Sequence, residues 1–195
     1  VLNNGQILLA GPAYHPDSNE MKLGLIWMDE SLNILQQSLE GLEGKKIEPG
    51  GTITLNQAGN IVTYGKVVEN YGSSLSANNY YFMEISQSGE MLQIKEQSLG
   101  FNAFYLWPVD SNKYHMWSWN NIVIQLDAGF NFENTFSPGW DNEFQSVSIH
   151  PYDLDSYFLL RDKVKFVPGQ EDPVIEVEVF HVNNQVNPLN TFVFG

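Results

Sequence analysis

The sequence predicts an all-β protein, a β-propeller of about four four-stranded antiparallel blades. Three observations predict it: an apolar, strand-like segment recurs four times, a turn rich in Asn, Asp and Gly follows each repeat's third strand, and no segment has a convincing amphipathic helical pattern. Repeats of roughly 40–55 residues that each form one four-stranded unit are typical of propellers. A β-sandwich also has alternating strands, but it gives no reason for the turns to recur in the same order.

Each repeat contains two central strands, which we number as its second and third. The second strands are Ile7–Gly11, Ile61–Gly65, Tyr114–Ser118 and Tyr157–Arg161. The third strands are Leu23–Asp29, Tyr80–Ser86, Asn121–Asp127 and Ile175–His181. All are rich in β-branched, aromatic or aliphatic residues, as strands are.

A polar turn follows every third strand. The four turns are Asp29–Asn33, Ser86–Glu90, Asp127–Asn131 and Asn183–Asn187. Asn, Asp and Gly supply the left-handed backbone conformations that tight hairpins need. The segment Leu35–Leu39, in the only helix-like window, is as easily an outer strand.

We therefore divide the chain into one propeller domain over residues 1–195, with approximate blades at 1–45, 46–100, 101–140 and 141–195. Only Val1 and Leu2 precede the first turn, so the first repeat lacks most of its innermost strand. Two arrangements remain open: a compact four-bladed ring, or part of a larger ring. An open part of a ring would expose an apolar blade face, which soluble proteins avoid unless a partner covers it.

One resemblance supports this division. The segment Leu2–Gly11, followed by Leu25–Asp29 and a polar turn, resembles the blades of secreted bacterial propeller repeats, including the delta-60 type. The match concerns the pattern of strands and turns along the whole chain. Ser118 and Arg161 depart from it, because they stand where the first two repeats have Gly. The resemblance implies a secreted or bacterial cell-envelope protein, in the periplasm or on the surface, and carries over no functional residue.

Composition excludes several functions. Nine Lys and Arg stand against 23 Asp and Glu, so the formal net charge is −14. No basic surface is available to neutralise nucleic-acid phosphates or to adhere to anionic lipid. There is no Cys, so a thiolate metal site and a Cys nucleophile are excluded. No apolar run approaches the ~20 residues of a membrane helix, and we expect no membrane insertion.

The candidate ligand-binding residues lie in the longer loops, with Trp119 at a shorter one, because irregular loops on a rigid scaffold carry most binding groups. Aromatic rings offer contact area for a sugar or an apolar peptide side chain, and carboxylates fix the orientation of hydroxyl groups. The residues are Tyr14, His15, Tyr71, Trp119, Trp140, Asp141 and Glu143. The competing interpretation is that such aromatics belong to the packing between blades.

The sequence favours a non-enzymatic binding or interaction module over an enzyme. The alternative is a carbohydrate-active enzyme or lectin-like propeller, which could use Trp140, Asp141 and Glu143. Two carboxylates can hydrolyse glycosides, but in so acidic a chain such pairs arise by chance. The four His show no metal-ligand spacing, so we name no catalytic residue, no metal ligand and no cofactor. The expected partner is a protein or a glycan, in a chain that is a subunit or fragment of a larger assembly.

Overall fold

The fold is built entirely from β-strands in the part of the chain that the computed structural model describes. That part comprises residues 1–15, 20–68, 79–118, 122–136, 147–151, 156–165, 168–169, 174–183 and 188–194. Its strands form four antiparallel sheets. The all-β prediction is confirmed, and the segment Leu35–Leu39 lies in a strand.

The sheets follow one another along the chain. The first contains β1 (Ile7–His15), β2 (Glu20–Met28) and β3 (Ile34–Glu40). The second contains β4 (Lys46–Leu55), β5 (Ile61–Val68), β6 (Asn79–Ile85) and β7 (Met91–Ser98). The third contains β8 (Ala103–Asp110), β9 (Lys113–Ser118), β10 (Val123–Asp127) and β11 (Phe132–Phe136). The fourth contains β12 (Val147–Pro151), β13 (Ser156–Lys165), β14 (Val174–Asn183) and β15 (Pro188–Phe194).

Strands that are consecutive in the chain are also neighbours in each sheet, so every sheet is a meander. The turns after β2 and β10 are closed by hydrogen bonds of the Asp and Asn residues that the sequence predicts there. The Asp29 carboxylate accepts a bond from the Asn33 backbone N–H at 2.9 Å, and Asp127 does the same for Asn131 at 2.7 Å. Side-chain bonds from Asn33 and Asn131 lower the pKa of the two carboxyls. These acids are therefore turn caps.

Successive sheets pack face to face. One buried apolar cluster joins the first sheet to the second and includes Trp27 from the first and Met83 from the second. A second cluster joins the second sheet to the third, where the rings of Phe82 and Phe130 stack at 5.3 Å between centroids. A third cluster joins the third sheet to the fourth through Trp117. Four consecutive meander sheets stacked in chain order are the architecture of a β-propeller.

The innermost strands of the second and third sheets are irregular at a common level. In β4 the pairing jumps from Pro49 to Ile53, and in β8 the extra residue is Tyr105, whose φ is 56°. Left-handed backbone is uncommon for a bulky aromatic residue. Burial raises the pKa of the Tyr64 phenol to about 12, although the backbone of Tyr105 and the side chain of Thr52 oppose the rise. Tyr64 thus lies beside both irregular strands.

The first sheet differs from the others, because it has three described strands instead of four. Its β1 pairs with β2 over the full length of both strands, from Ile7 with Met28 to His15 with Glu20. The strand order shows which strand β1 is. β3 directly precedes β4, the innermost strand of the second sheet, so β3 corresponds to the outermost strand β7. In the order β1-β2-β3, β1 is then the second strand of its blade.

Candidate functional site

The predicted loop site falls mostly outside the described residues. Tyr71, Trp119, Trp140, Asp141 and Glu143 all lie there, and of His15 only the backbone, at the end of β1, is described. Tyr14 lies in β1, and 58% of its surface is exposed. The loop site therefore stays a prediction.

The described part of the chain offers a different candidate, which consists of two sheet faces. We call the face of a sheet toward the preceding sheet its backward face, and the face toward the following sheet its forward face. Side chains alternate between the two faces along each strand. In the second sheet both faces are covered: Tyr81 and Met83 pack backward, and Tyr80 and Phe82 pack forward, all four fully buried.

The backward face of the first sheet is apolar and open. Leu25 and Trp27 point forward into the buried cluster, so the alternate residues of β2 and their partners on β1 and β3 point backward. Leu9 and Leu39 on this face are 51% and 44% exposed. Together the residues form a groove of about 720 Å³. We call this surface the open backward face, and it consists of Leu9, Gly11, Gly24, Ile26 and Leu39.

A pair of glycines makes this face concave. Gly11 and Gly24 lie opposite each other on β1 and β2, and a Cβ at Gly11 would have no neighbour within 4 Å. The equivalent residue in the second sheet, Gly65, lies opposite Tyr81, whose ring would be 2.4 Å from such a Cβ. The second sheet therefore fills the space over Gly65 with its own tyrosine, whereas the space over Gly11 is open and Ala13 lies beside Gly24, where a Cβ would be 2.8 Å from that of Ala13. We call the open space over Gly11 the glycine notch.

The forward face of the fourth sheet is also open and largely apolar, although the register places Asp162 and His181 on it as well. Phe180 points back into the cluster shared with the third sheet, so its neighbours Val179 and Phe192 point forward. Phe192 and Phe194 are 49% and 60% exposed. We call this surface the open forward face, and it consists of Phe158, Leu160, Val177, Val179, Phe192 and Phe194.

The two open faces are of opposite kind. In the packing between sheets along the chain, a forward face always covers a backward face. One of each stays exposed among the described residues, with Leu9 and Leu39 on the backward face of the first sheet and Phe192 and Phe194 on the forward face of the fourth. The forward face carries protruding Phe rings, whereas the backward face carries the glycine notch. Another blade on either side would extend the same stacking.

The buried titratable groups belong to the packing. His115 is 1% exposed, and its ring lies at 5.7 Å from that of Trp107 and 5.1 Å from that of Phe136. Burial lowers its pKa to about 4, although Gln125 at 3.4 Å from Nε2 opposes the shift. This histidine is therefore neutral at pH 7.

Within the described ranges, no group of three or more His, Asp and Glu could hold a metal ion. The acids of the predicted carboxylate pair, Asp141 and Glu143, lie outside those ranges. No helix in the described residues is long and apolar enough to cross a membrane.

No protein-family model matches the chain, and no curated protein sequence matches it. Similar solved structures include the following three. A protein of unknown function from Bacteroides caccae has 9% identity and a TM-score of 0.47, over 97% of this chain and 94% of that one. The Dos1 propeller has 13% identity and a TM-score of 0.48, over 89% of this chain and 44% of that one. BamB from Moraxella catarrhalis has 10% identity and a TM-score of 0.43, over 95% of this chain and 50% of that one.

The chain thus spans half or less of the length of the last two proteins. At 9–13% identity these similarities identify no ligand, partner or activity.

The sequence contains one signal for the open backward face. In β2 the run from Leu25 to Met28 is apolar at every position, which is typical of a strand buried on both faces. In the structure Leu25 and Trp27 on the forward face are fully buried, whereas Ile26 on the backward face is only partly buried.

Proposed function

We propose that this chain is a non-enzymatic protein-interaction module, and that other propeller blades cover its open backward and open forward faces. The observation that carries the proposal is the pair of uncovered apolar faces at the two ends of the stack. Exposed apolar patches of this kind mark interaction sites in soluble proteins. The approximate blades at 1–45, 46–100, 101–140 and 141–195 are the units of this proposed assembly.

The chemistry of the partner follows from the faces that are already covered. Each backward face inside the chain packs against the aliphatic and aromatic side chains of a strand meander. The open backward face offers Leu9, Ile26 and Leu39 around the glycine notch, which matches bulky apolar side chains. A blade with a face like Phe192 and Phe194 would fill it. The partner is therefore a second blade-bearing polypeptide, which includes another copy of this chain.

The test compares two leucines on the outermost strands of consecutive sheets. Leu39 on β3 belongs to the open backward face and is 44% exposed, whereas Leu92 on β7 is 47% exposed and belongs to neither open face. Leu39→Lys places a charge at the proposed interface, and Leu92→Lys is the matched control.

Native mass spectrometry of the protein recovered from its source reports the assembly. We expect the wild type and Leu92→Lys to give masses well above 22.1 kDa, and Leu39→Lys to lose the additional mass. A wild type that is alone at its own mass contradicts the proposal, and so does an assembly that both variants retain.

A glycan partner on the loop-rich side is a second candidate, favoured by the exposed ring of Tyr14 at the end of β1. We propose Tyr14, His15, Tyr71, Trp119, Trp140, Asp141 and Glu143 as its residues. A glycan array with the wild type and with Trp140→Ala tests it. Binding that is lost in the variant supports the site, and binding that the variant retains removes Trp140 from it.

We further propose that the protein functions in a bacterial envelope or outside the cell, which its resemblance to secreted bacterial propeller repeats supports. Fractionation of the source cells, followed by detection of the chain, tests this placement. Recovery in the cytoplasmic fraction alone would contradict it.

A further inference from the structure

A groove lies between the first and second sheets, at the end of the stack that carries the tight turns. One side is lined by the turn before β1 and the start of β3, and the other by the turn at residues 86–88 after β6. Its volume is about 470 Å³, which is within the range of small-ligand sites. Because these two sheets already cover each other, the groove belongs to neither open face.

The lining of this groove, which we call the amide groove, is uncharged. Trp27 and Leu35 supply its apolar part. Its carboxamides are those of Asn4, Gln6, Gln36 and Gln87, and its hydroxyls are those of Ser86 and Ser88. None of the described residues that line it carries a charge, although the chain has a formal net charge of −14. A charged ligand would lose hydration here without gaining a partner, so the lining selects a neutral, hydrogen-bonding one.

Two of the carboxamides are held by packing against turn glycines. A Cβ at Gly59 would lie 2.6 Å from Nε2 of Gln87, and Nε2 of Gln36 fills the space that a Cβ at Gly89 would need. Neither glutamine side chain makes a hydrogen bond to another described residue. Their donors and acceptors are therefore positioned in advance and available to a ligand, which lowers the entropy cost of binding.

Hydrogen bonds orient the other polar groups of the amide groove. Asn4 Nδ2 donates to Gln6 Oε1 at 3.0 Å, which leaves the two N–H groups of Gln6 Nε2 without a described acceptor. On the opposite side the hydroxyls of Ser86 and Ser88 are 2.8 Å apart. Trp27 is 1% exposed, so it offers no open ring face for stacking. Recognition in this groove therefore depends on hydrogen bonds.

We propose that the amide groove binds a neutral saccharide of one or two sugar units. A carboxamide presents an acceptor and a donor side by side, and each sugar hydroxyl both donates and accepts, so neighbouring hydroxyls match this fork. Leu35 is 52% exposed and gives apolar contact for the C–H groups of the ring. The site lies at the opposite end of β1 from Tyr14, and it rests neither on the open faces nor on the predicted loop site.

The experiment follows the side-chain amide signals by NMR, using the full 195-residue chain labelled with ¹⁵N. The probes are maltose, cellobiose, lactose and chitobiose, with trialanine as a neutral peptide. Gln36→Ala is the test variant and Gln37→Ala its matched control. Both glutamines are exposed on β3, but Gln37 lies opposite Ile26, on the backward face of the sheet.

We expect at least one disaccharide to shift the side-chain NH₂ signals of Gln36 and Gln87 to saturation, because these carboxamides gain hydrogen bonds. The signal of Gln37 should change little. Gln36→Ala should weaken the affinity for that disaccharide by about three- to tenfold, whereas Gln37→Ala should leave it unchanged.

No response to any of the four disaccharides overturns the proposal, and so does an affinity that Gln36→Ala leaves unchanged. If trialanine shifts the same signals and no disaccharide does, the groove binds peptide and the proposal is wrong. Trp140→Ala separates this site from the predicted loop site. A response that is lost in Trp140→Ala but retained in Gln36→Ala would assign the sugar to the loops and overturn the proposal.

Discussion

The second sheet and the first sheet contain the same kinds of strand in different surroundings. In β6 four consecutive residues, Tyr80 to Met83, are fully buried, because sheets lie on both sides. In β2 only alternate residues, such as Leu23 and Leu25, are fully buried, although Ile26 is as apolar as its neighbours. The comparison teaches that exposure in this chain depends on how many neighbouring sheets a blade has, and not on the polarity of its strands.

The largest expected difference comes from two phenylalanines. Phe82 is fully buried in the second sheet, whereas Phe192 on the open forward face is 49% exposed. Phe82→Ala should lower the free energy of unfolding by about 3–5 kcal/mol, and Phe192→Ala by less than about 1 kcal/mol. Urea unfolding of both variants measures this. Equal losses would show that another part of the chain covers the fourth sheet.

The second prediction concerns the pH dependence of stability, because His115 is buried on a covered sheet face. His115 titrates near pH 6.5 when unfolded and near 4 in the folded chain, so only the unfolded state gains its proton between those values. The contribution of His115 to the free energy of unfolding is therefore fully present above pH 6.5. It is lost as the pH drops toward 4, by about 3 kcal/mol in total.

Urea unfolding at several pH values, for the wild type and His115→Gln, isolates this contribution. The variant should lose the part of the slope that lies between pH 6.5 and 4. Parallel curves for the two proteins would mean that the face between the third and fourth sheets admits solvent.

The third prediction compares the two equivalent glycines. A Cβ at Gly65 would lie 2.3 Å from the Glu48 carbonyl oxygen, so Gly65→Ala should cost about 1–3 kcal/mol. Gly11→Ala adds a methyl group to open space and should be neutral or stabilising by up to about 1 kcal/mol. Thermal unfolding of both variants measures these changes in stability. A destabilising effect of Gly11→Ala would indicate that the glycine notch is already occupied.

The smallest expected effect is the change in stability of the isolated chain on replacing Leu39 or Leu92 with Lys. Leu39→Lys and Leu92→Lys should each change the free energy of unfolding by within about 0.5 kcal/mol, since both side chains are about half exposed. Urea unfolding of the purified variants measures it. A much larger loss for Leu39→Lys would mean that the open backward face packs against this same chain.

Much of the fold is predictable from the sequence, because strand patterns and turn chemistry are local. The third strand predicted at Tyr80–Ser86 is observed as β6, Asn79–Ile85, and the turns at Asp29 and Asp127 form as their residues suggest. The irregularities are not predictable. Tyr105 has no residue-type preference for a φ of 56°, and it adopts that value only within the pairing of β8 with β9.

The candidate site was less accessible to sequence reasoning for a physical reason. Loop aromatics such as Tyr14 and Trp140 can be named from the sequence, but their convergence depends on the conformations of long loops. The glycine notch depends on Gly11 and Gly24 meeting across two strands, and whether it is filled depends on a neighbouring sheet. Coverage is a property of the stack: the apolar run of β2 indicates that both faces can be buried, but not whether a second sheet covers the backward one.

The order of the strands has a consequence for folding. Each sheet is made from consecutive strands, so most pairings close short loops and the loop-closure entropy for each is small. In such an array, stability is the sum of each unit and its nearest-neighbour interfaces. Among the described residues the second and third sheets each have two such interfaces, whereas the first and fourth have one each. If partners cover the open faces as we propose, we expect the first and fourth sheets to become fully cooperative only on association, so that association and the final step of folding are one event.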